Sequence, residues 1–149
     1  MTRYVALMRG INVGGHHKVK MADLKQVIKA AGFDDVQTYV QSGNVVFDGA
    51  AVPVADIGRV LEAACEEAFG FHAEIMVRDA ATFRAEAEAC PYVDAALEPL
   101  DGREAKLLHV AFLGAASDAA HIEAVIGAYN GPEDIALQGN ALYIYYREG

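Results

Sequence analysis

The chain has 149 residues, 54% of them hydrophobic and 22% charged, with a net charge of −9 and a pI near 4.9. This length fits one domain or two small ones, and the apolar content is ample for a packed interior. The acidic balance argues against broad electrostatic binding to nucleic acid, which needs a basic footprint. No apolar run approaches the roughly 18 residues of a membrane helix, and no signal-peptide core fits between Arg3 and Arg9. Cys65 and Cys90 lack CxxC spacing. Two thiols without a framework read as reduced, so the expected setting is cytoplasmic.

Tyr4 to Met8 is an apolar run suited to a central strand. The loop that follows, Arg9 to Lys20, carries Gly10, Gly14 and Gly15 together with Asn12, Lys18 and Lys20. Met21, Leu24, Val27, Ile28 and Ala31 then repeat at helical spacing, with Gly32 just past the end. Val36 to Gln41 and Asn44 to Asp48 are β-rich runs around Ser42-Gly43, which predicts a tight hairpin. Pro53 occupies a first-turn position of a second helix, whose apolar stripe is Val54, Ile57, Leu61, Ala64 and Ala68. Ala73 to Val77 is a further strand. The order βαββαβ is that of a ferredoxin-like unit, and residues 1–78 form it.

A short helix is expected over 79–89, and Cys90 to Arg103 is loop, so 79–105 separates two halves. The second unit, 106–149, has a strand over Leu107–Leu113 and a helix marked by Ala119, Ile122, Val125, Ile126 and Tyr129. It closes with a hairpin of Ile135–Gln138 and Ala141–Tyr146 around Gly139-Asn140. In both halves an acidic pair (Asp34-Asp35, Glu133-Asp134) leads into a hairpin whose turn contains Gly-Asn, so the chain reads as an internal repeat. The predicted fold is α+β: two ferredoxin-like units in tandem, the second truncated to βαββ. Alternation in its last strand leaves both sheet faces partly apolar, and a homodimer is the expected way to cover one.

The words Met8-Arg9-Gly10-Ile11-Asn12-Val13-Gly14-Gly15, Lys18-Val19-Lys20-Met21 and Gln41-Ser42-Gly43-Asn44-Val45-Val46-Phe47 together resemble the DUF1697 family of bacterial proteins. The resemblance covers essentially the whole chain. It implies two ferredoxin-like units and assigns no activity and no catalytic residues. Family members usually continue into a helix and a Trp-containing tail, a pattern from which this sequence, ending Arg147-Glu148-Gly149, departs.

The candidate chemistry lies in the Arg9–Lys20 loop. Glycines let backbone amides approach an anion, Arg9 can grip bidentately, and a helix N-terminus adds a favourable field. The same loop also reads as a crossover needing positive φ, with solvated lysines. It is neither a Walker A loop nor GxGxxG. Gln41, Ser42 and Asn44 are placed beside it by the neighbouring first and third strands. The candidate ligand site is therefore Arg9, Asn12, Gly14, Gly15, Lys18, Lys20, Gln41, Ser42 and Asn44. Its expected partner is a phosphate or carboxylate small molecule.

No cofactor is called for, and His16-His17 lacks the companions of a metal site. His109, in an apolar strand, reads as a hydrogen-bonded core residue. Ser42 has no nucleophile elbow around it. Three function classes follow: an anion-binding module, an unassigned enzyme using the same loop to hold a phosphorylated substrate, and a nucleic-acid or protein interaction module. For the last, only Tyr4 and Phe47 could supply rings on the central strands, and the RNP1 pattern is absent.

Overall fold

The computed structural model describes residues 1–114 and 117–149. Among them the fold is α+β, with four α-helices and two antiparallel sheets of four and three strands. The chain divides into two compact units, Met1–Phe83 and Arg84–Gly149.

The first unit runs β1 (Thr2–Met8), α1 (Met21–Ala30), β2 (Asp34–Tyr39), β3 (Asn44–Gly49), α2 (Val54–Phe69) and β4 (Ile75–Asp79), after which α3 (Ala80–Glu88) crosses the unit boundary. Its sheet order is β2-β3-β1-β4. Strand alternation decides which face is covered. Tyr4, Ala6, Met8, Val45, Phe47, Ile75 and Val77 are buried, and Leu24, Ile28, Ile57, Leu61 and Cys65 of α1 and α2 join the same core cluster. Each such large side chain contributes about 1.5–3 kcal/mol by leaving water. Tyr4 keeps its polar end satisfied by donating to the Ala50 carbonyl at 2.9 Å. Tyr4 and Phe47 are 2% and 0% exposed, so neither offers a ring to a base. Burial pushes the Cys65 thiol up to about 11.

Among the boundaries that differ from the sequence reading, three have a clear local cause. β2 ends at Tyr39, not Gln41, because Val40 turns to φ +55°. Pro53 is the cap before α2, with its carbonyl accepting from Asp56 at 3.0 Å, and not a first-turn residue. β4 begins at Ile75, where pairing with Met8 starts, rather than at Ala73. The edge strand β2 is irregular between Asp34 and Gln37, and Arg3 bridges its Asp35 (2.5 Å) to Asp48 of β3 (2.8 Å). An irregular, charged edge discourages pairing with another chain.

The second unit holds a 3-10 turn (Ala105–Leu107), β5 (Leu108–Phe112), α4 (Ala119–Ala128), β6 (Asp134–Gln138) and β7 (Ala141–Tyr145), in sheet order β5-β7-β6. Its core is small: Cys90, Ala141 and Tyr143, with Tyr92, Val93, Leu108 and Val110 packed against them. The Tyr143 hydroxyl donates to the Glu86 carbonyl. Beside this core Arg103 lies over the rings of Tyr92 (4.7 Å) and Tyr145 (5.3 Å) and bonds Asp134 at 3.1 Å. Arg147 reaches the same carboxylate at 2.8 Å. Its hydrogen bond, with that of Arg103, holds Asp134 below the usual carboxylate range. His109 is a correction: it sits opposite Ile144 in β5, exposed, with its ring edge-on to Tyr146 at 5.0 Å. Strand alternation sends it to the face opposite Tyr143, so it is not a core residue.

Candidate functional site

The Gly-rich loop is built around one amide side chain. Asn12 takes φ +54°, a conformation that Asn tolerates better than most residues. Its backbone amide donates to the His17 carbonyl at 3.0 Å, and His16 closes a tight turn onto Val13 at 3.1 Å. Its side chain then acts like a strand partner for Val19. The Val19 amide donates to Asn12 Oδ1 at 2.8 Å, while Asn12 Nδ2 donates to the Val19 carbonyl at 2.9 Å. The same Nδ2 also donates to the Gln41 carbonyl at 2.7 Å. Gly10, Gly14 and Gly15 all take positive φ, as the loop composition predicts.

These bonds fix the segment that follows. Val19 is 3% exposed and enters the core, so its neighbours Lys18 and Lys20 project away from the core on both sides of it. Neither lysine has a carboxylate partner among the described residues. Lys20 is the N-cap of α1 and makes no capping bond with its side chain, so no cap side chain covers the first amides of the helix. The helix dipole adds roughly half a positive charge there.

The loop is held against two other segments. The Gly43 carbonyl accepts from the Met8 amide at 3.0 Å, and Gly43 has φ +85° with space for nothing larger: a Cβ would lie 2.7 Å from Ile11. His17 stacks on Phe71 at 4.1 Å and 6°, which ties the loop to the chain just after α2. Between these fixtures lies a cleft of about 540 Å³ lined by Asn12, Gly15, Lys18, Val19, Lys20, Asp23, Gln41 and Phe69.

Five of the nine predicted residues therefore share one cleft: Asn12, Gly15, Lys18, Lys20 and Gln41. Gly14 lies in the turn outside its lining. Arg9 projects elsewhere, 83% exposed, to an ion pair with Glu74 at 3.2 Å. Ser42 and Asn44 also stay outside, bonded to one another at 3.2 Å. Asp23 and Phe69 line the cleft although the sequence reading did not include them. Asp23 was accessible as a first-turn residue of α1. Phe69 needed the knowledge that the end of α2 returns beside the loop.

The solved structure of the conserved bacterial protein SP0830 from Streptococcus pneumoniae is similar to this chain, with 25% identity and a TM-score of 0.76 over 99% of this chain and 79% of that one. No curated protein matches the chain. The family model described as "Protein of unknown function (DUF1697)" matches residues 1–143, and the chain belongs to that family.

Proposed function

We propose that this protein binds an anionic small molecule, a phosphate or carboxylate, in the cleft beside Lys18 and Lys20. One observation carries the proposal: two lysines without carboxylate partners among the described residues flank a core-anchored residue at the start of α1, where no cap side chain stands. Asn12 supports the site without reading the ligand, since both its donors are spent on backbone carbonyls. Of the predicted residues, Lys18, Lys20, Gly15 and Gln41 make the contact set. An enzyme built on Arg9 finds less support, because Arg9 is outside the cleft and paired with Glu74.

The test is thermal denaturation of the full chain with inorganic phosphate, pyrophosphate and citrate, repeated on Lys18→Ala/Lys20→Ala. A ligand at 100 times its Kd adds about 2.7 kcal/mol of stability. Protection of the native chain and its loss in the variant are expected. Equal protection in both would reject the site.

We read the fold further as two ferredoxin-like units, the second carrying the βαββ part. The support is the shared pairing: β1 with β3 and β3 with β2 in the first, β5 with β7 and β7 with β6 in the second, all antiparallel. We also propose a cytoplasmic setting, in keeping with two free thiols, and a homodimer. Half-buried Leu142 and Ile144 on β7, alternating with buried Ala141 and Tyr143, favour the dimer. No helix among the described residues is long and apolar enough to cross a membrane.

A further inference from the structure

We infer that the ligand of the Lys18–Lys20 cleft is an aromatic phosphomonoester of the nucleoside monophosphate class. The inference rests on the anion site proposed above and specifies what else the ligand carries. The first argument is size. A cleft of about 540 Å³ lies within the range of roughly 300–1,000 Å³ typical of organic ligand sites. A bare oxyanion held by two lysines would leave most of it filled with water.

The second argument is the division of the lining. Lys18 and Lys20 make one charged end. Phe69, half-buried at the last residue of α2 and packed against the core, adds an aromatic side chain to the lining, and the His17–Phe71 stack holds the adjoining chain in place. An aromatic side chain favours a flat partner that can stack, which a bare anion is not. Gln41 and Asp23 add polar groups. The Gln41 side-chain amide has no partner among the described residues, because only its backbone carbonyl is engaged by Asn12. An amide and a carboxylate together supply donors and acceptors for the edge of a heteroaromatic ring.

The third argument is charge. A phosphomonoester carries about −1.5 to −2 at neutral pH, and two lysines against one carboxylate leave the lining with a small positive charge to meet it. Asp23 in the first turn of α1 repels further phosphates. A monophosphate fits this balance better than a polyphosphate chain.

The experiment is calorimetric titration of the full chain with four probes: inorganic phosphate, adenosine 5′-monophosphate, adenosine and adenosine 5′-triphosphate. The monophosphate is expected to bind about tenfold more tightly than inorganic phosphate, the scale of one base stacked on one ring. Phe69→Leu removes that advantage and leaves the affinity for phosphate in place, while Phe69→Tyr retains it. Lys18→Gln/Lys20→Gln removes binding of both. Equal, lysine-dependent affinities for phosphate and monophosphate would overturn the ring inference and leave the anion site standing. Binding of adenosine as tight as that of its monophosphate, or binding of the monophosphate unaffected by the lysine substitutions, would overturn both. Tighter binding of the triphosphate would refute the charge argument and with it the monophosphate class. Absence of binding by any probe at millimolar concentration overturns both. The comparison of probes on the native chain needs no variant, so poor folding of Phe69→Leu does not spare the inference.

Discussion

Replacing Asn12 by Ala separates the scaffold of the cleft from its contact surface. Three hydrogen bonds disappear, to the Val19 amide, the Val19 carbonyl and the Gln41 carbonyl. At about 0.5–1.5 kcal/mol each they sum to about 3 kcal/mol. Val19 is buried, so its amide and carbonyl lose their partner where water reaches poorly. The φ of +54° adds a further cost for Ala that Gly does not bear, of the order of 1 kcal/mol. Asn12→Ala is thus expected to destabilise the first unit by about 3–4 kcal/mol, and Asn12→Gly by about 1 kcal/mol less.

Urea unfolding followed by circular dichroism measures the loss, and hydrogen exchange at the Val19 amide locates it in the loop. By contrast Lys18→Ala and Lys20→Ala, at exposed side chains without partners among the described residues, are expected to stay within about 0.5 kcal/mol of the native chain. An Asn12→Ala variant within 1 kcal/mol of native stability would refute the staple, and so would unchanged exchange at Val19.

Gly43→Ala is expected to cost more than 2 kcal/mol in the same assay, since the new Cβ meets Ile11 at 2.7 Å and Met8 at 2.9 Å at a positive φ; a neutral outcome would mean that the β1 end and the hairpin loop can separate freely. Acid is expected to weaken the second unit through Asp134, whose folded carboxyl is held below its ordinary range by Arg147 and Arg103. That contribution is complete above about pH 4, the unfolded value, and is lost as pH falls through the lower folded one. Melting curves from pH 7 to pH 3 should therefore lose their acid limb in part in Asp134→Asn, at lower stability near neutrality. Cys65, buried and with its thiol pushed up to about 11, is expected to resist thiol reagents at pH 8 until the chain unfolds; rapid labelling of the folded protein would contradict its place in the core. Sedimentation at micromolar concentration tests the proposed homodimer, and a monomer there would reject it.

The elements were legible because their apolar spacing is strong. α2 is expected from Val54, Ile57 and Leu61, and all three face the core as the 3.6-residue period requires. β7 is likewise read from alternation, with Ala141, Tyr143 and Tyr145 buried. Boundaries were less legible where a tertiary bond overrides propensity. Val40 is a strong strand former, yet it takes a left-handed φ because the Gln41 carbonyl turns back to Asn12. His109 shows a different limit. An apolar strand with one covered face does not announce which alternate residues are covered.

The site divides along the same line. Composition located the loop, since glycines, lysines and Asn occur together there, but it could not assign jobs among the polar residues. Asn12 and Lys18 look equally suited to a ligand in sequence. In the structure one is consumed by the backbone and the other is not. The net charge of −9 is compatible with a cationic cleft for a physical reason. Screening over about 8 Å at physiological salt confines each charge to its surroundings. A ligand inside the cleft therefore feels Lys18, Lys20 and Asp23 far more than the carboxylates spread over the rest of the surface. Overall charge argues against a polyanion that must span the molecule, and it leaves open a small anion that needs only one loop.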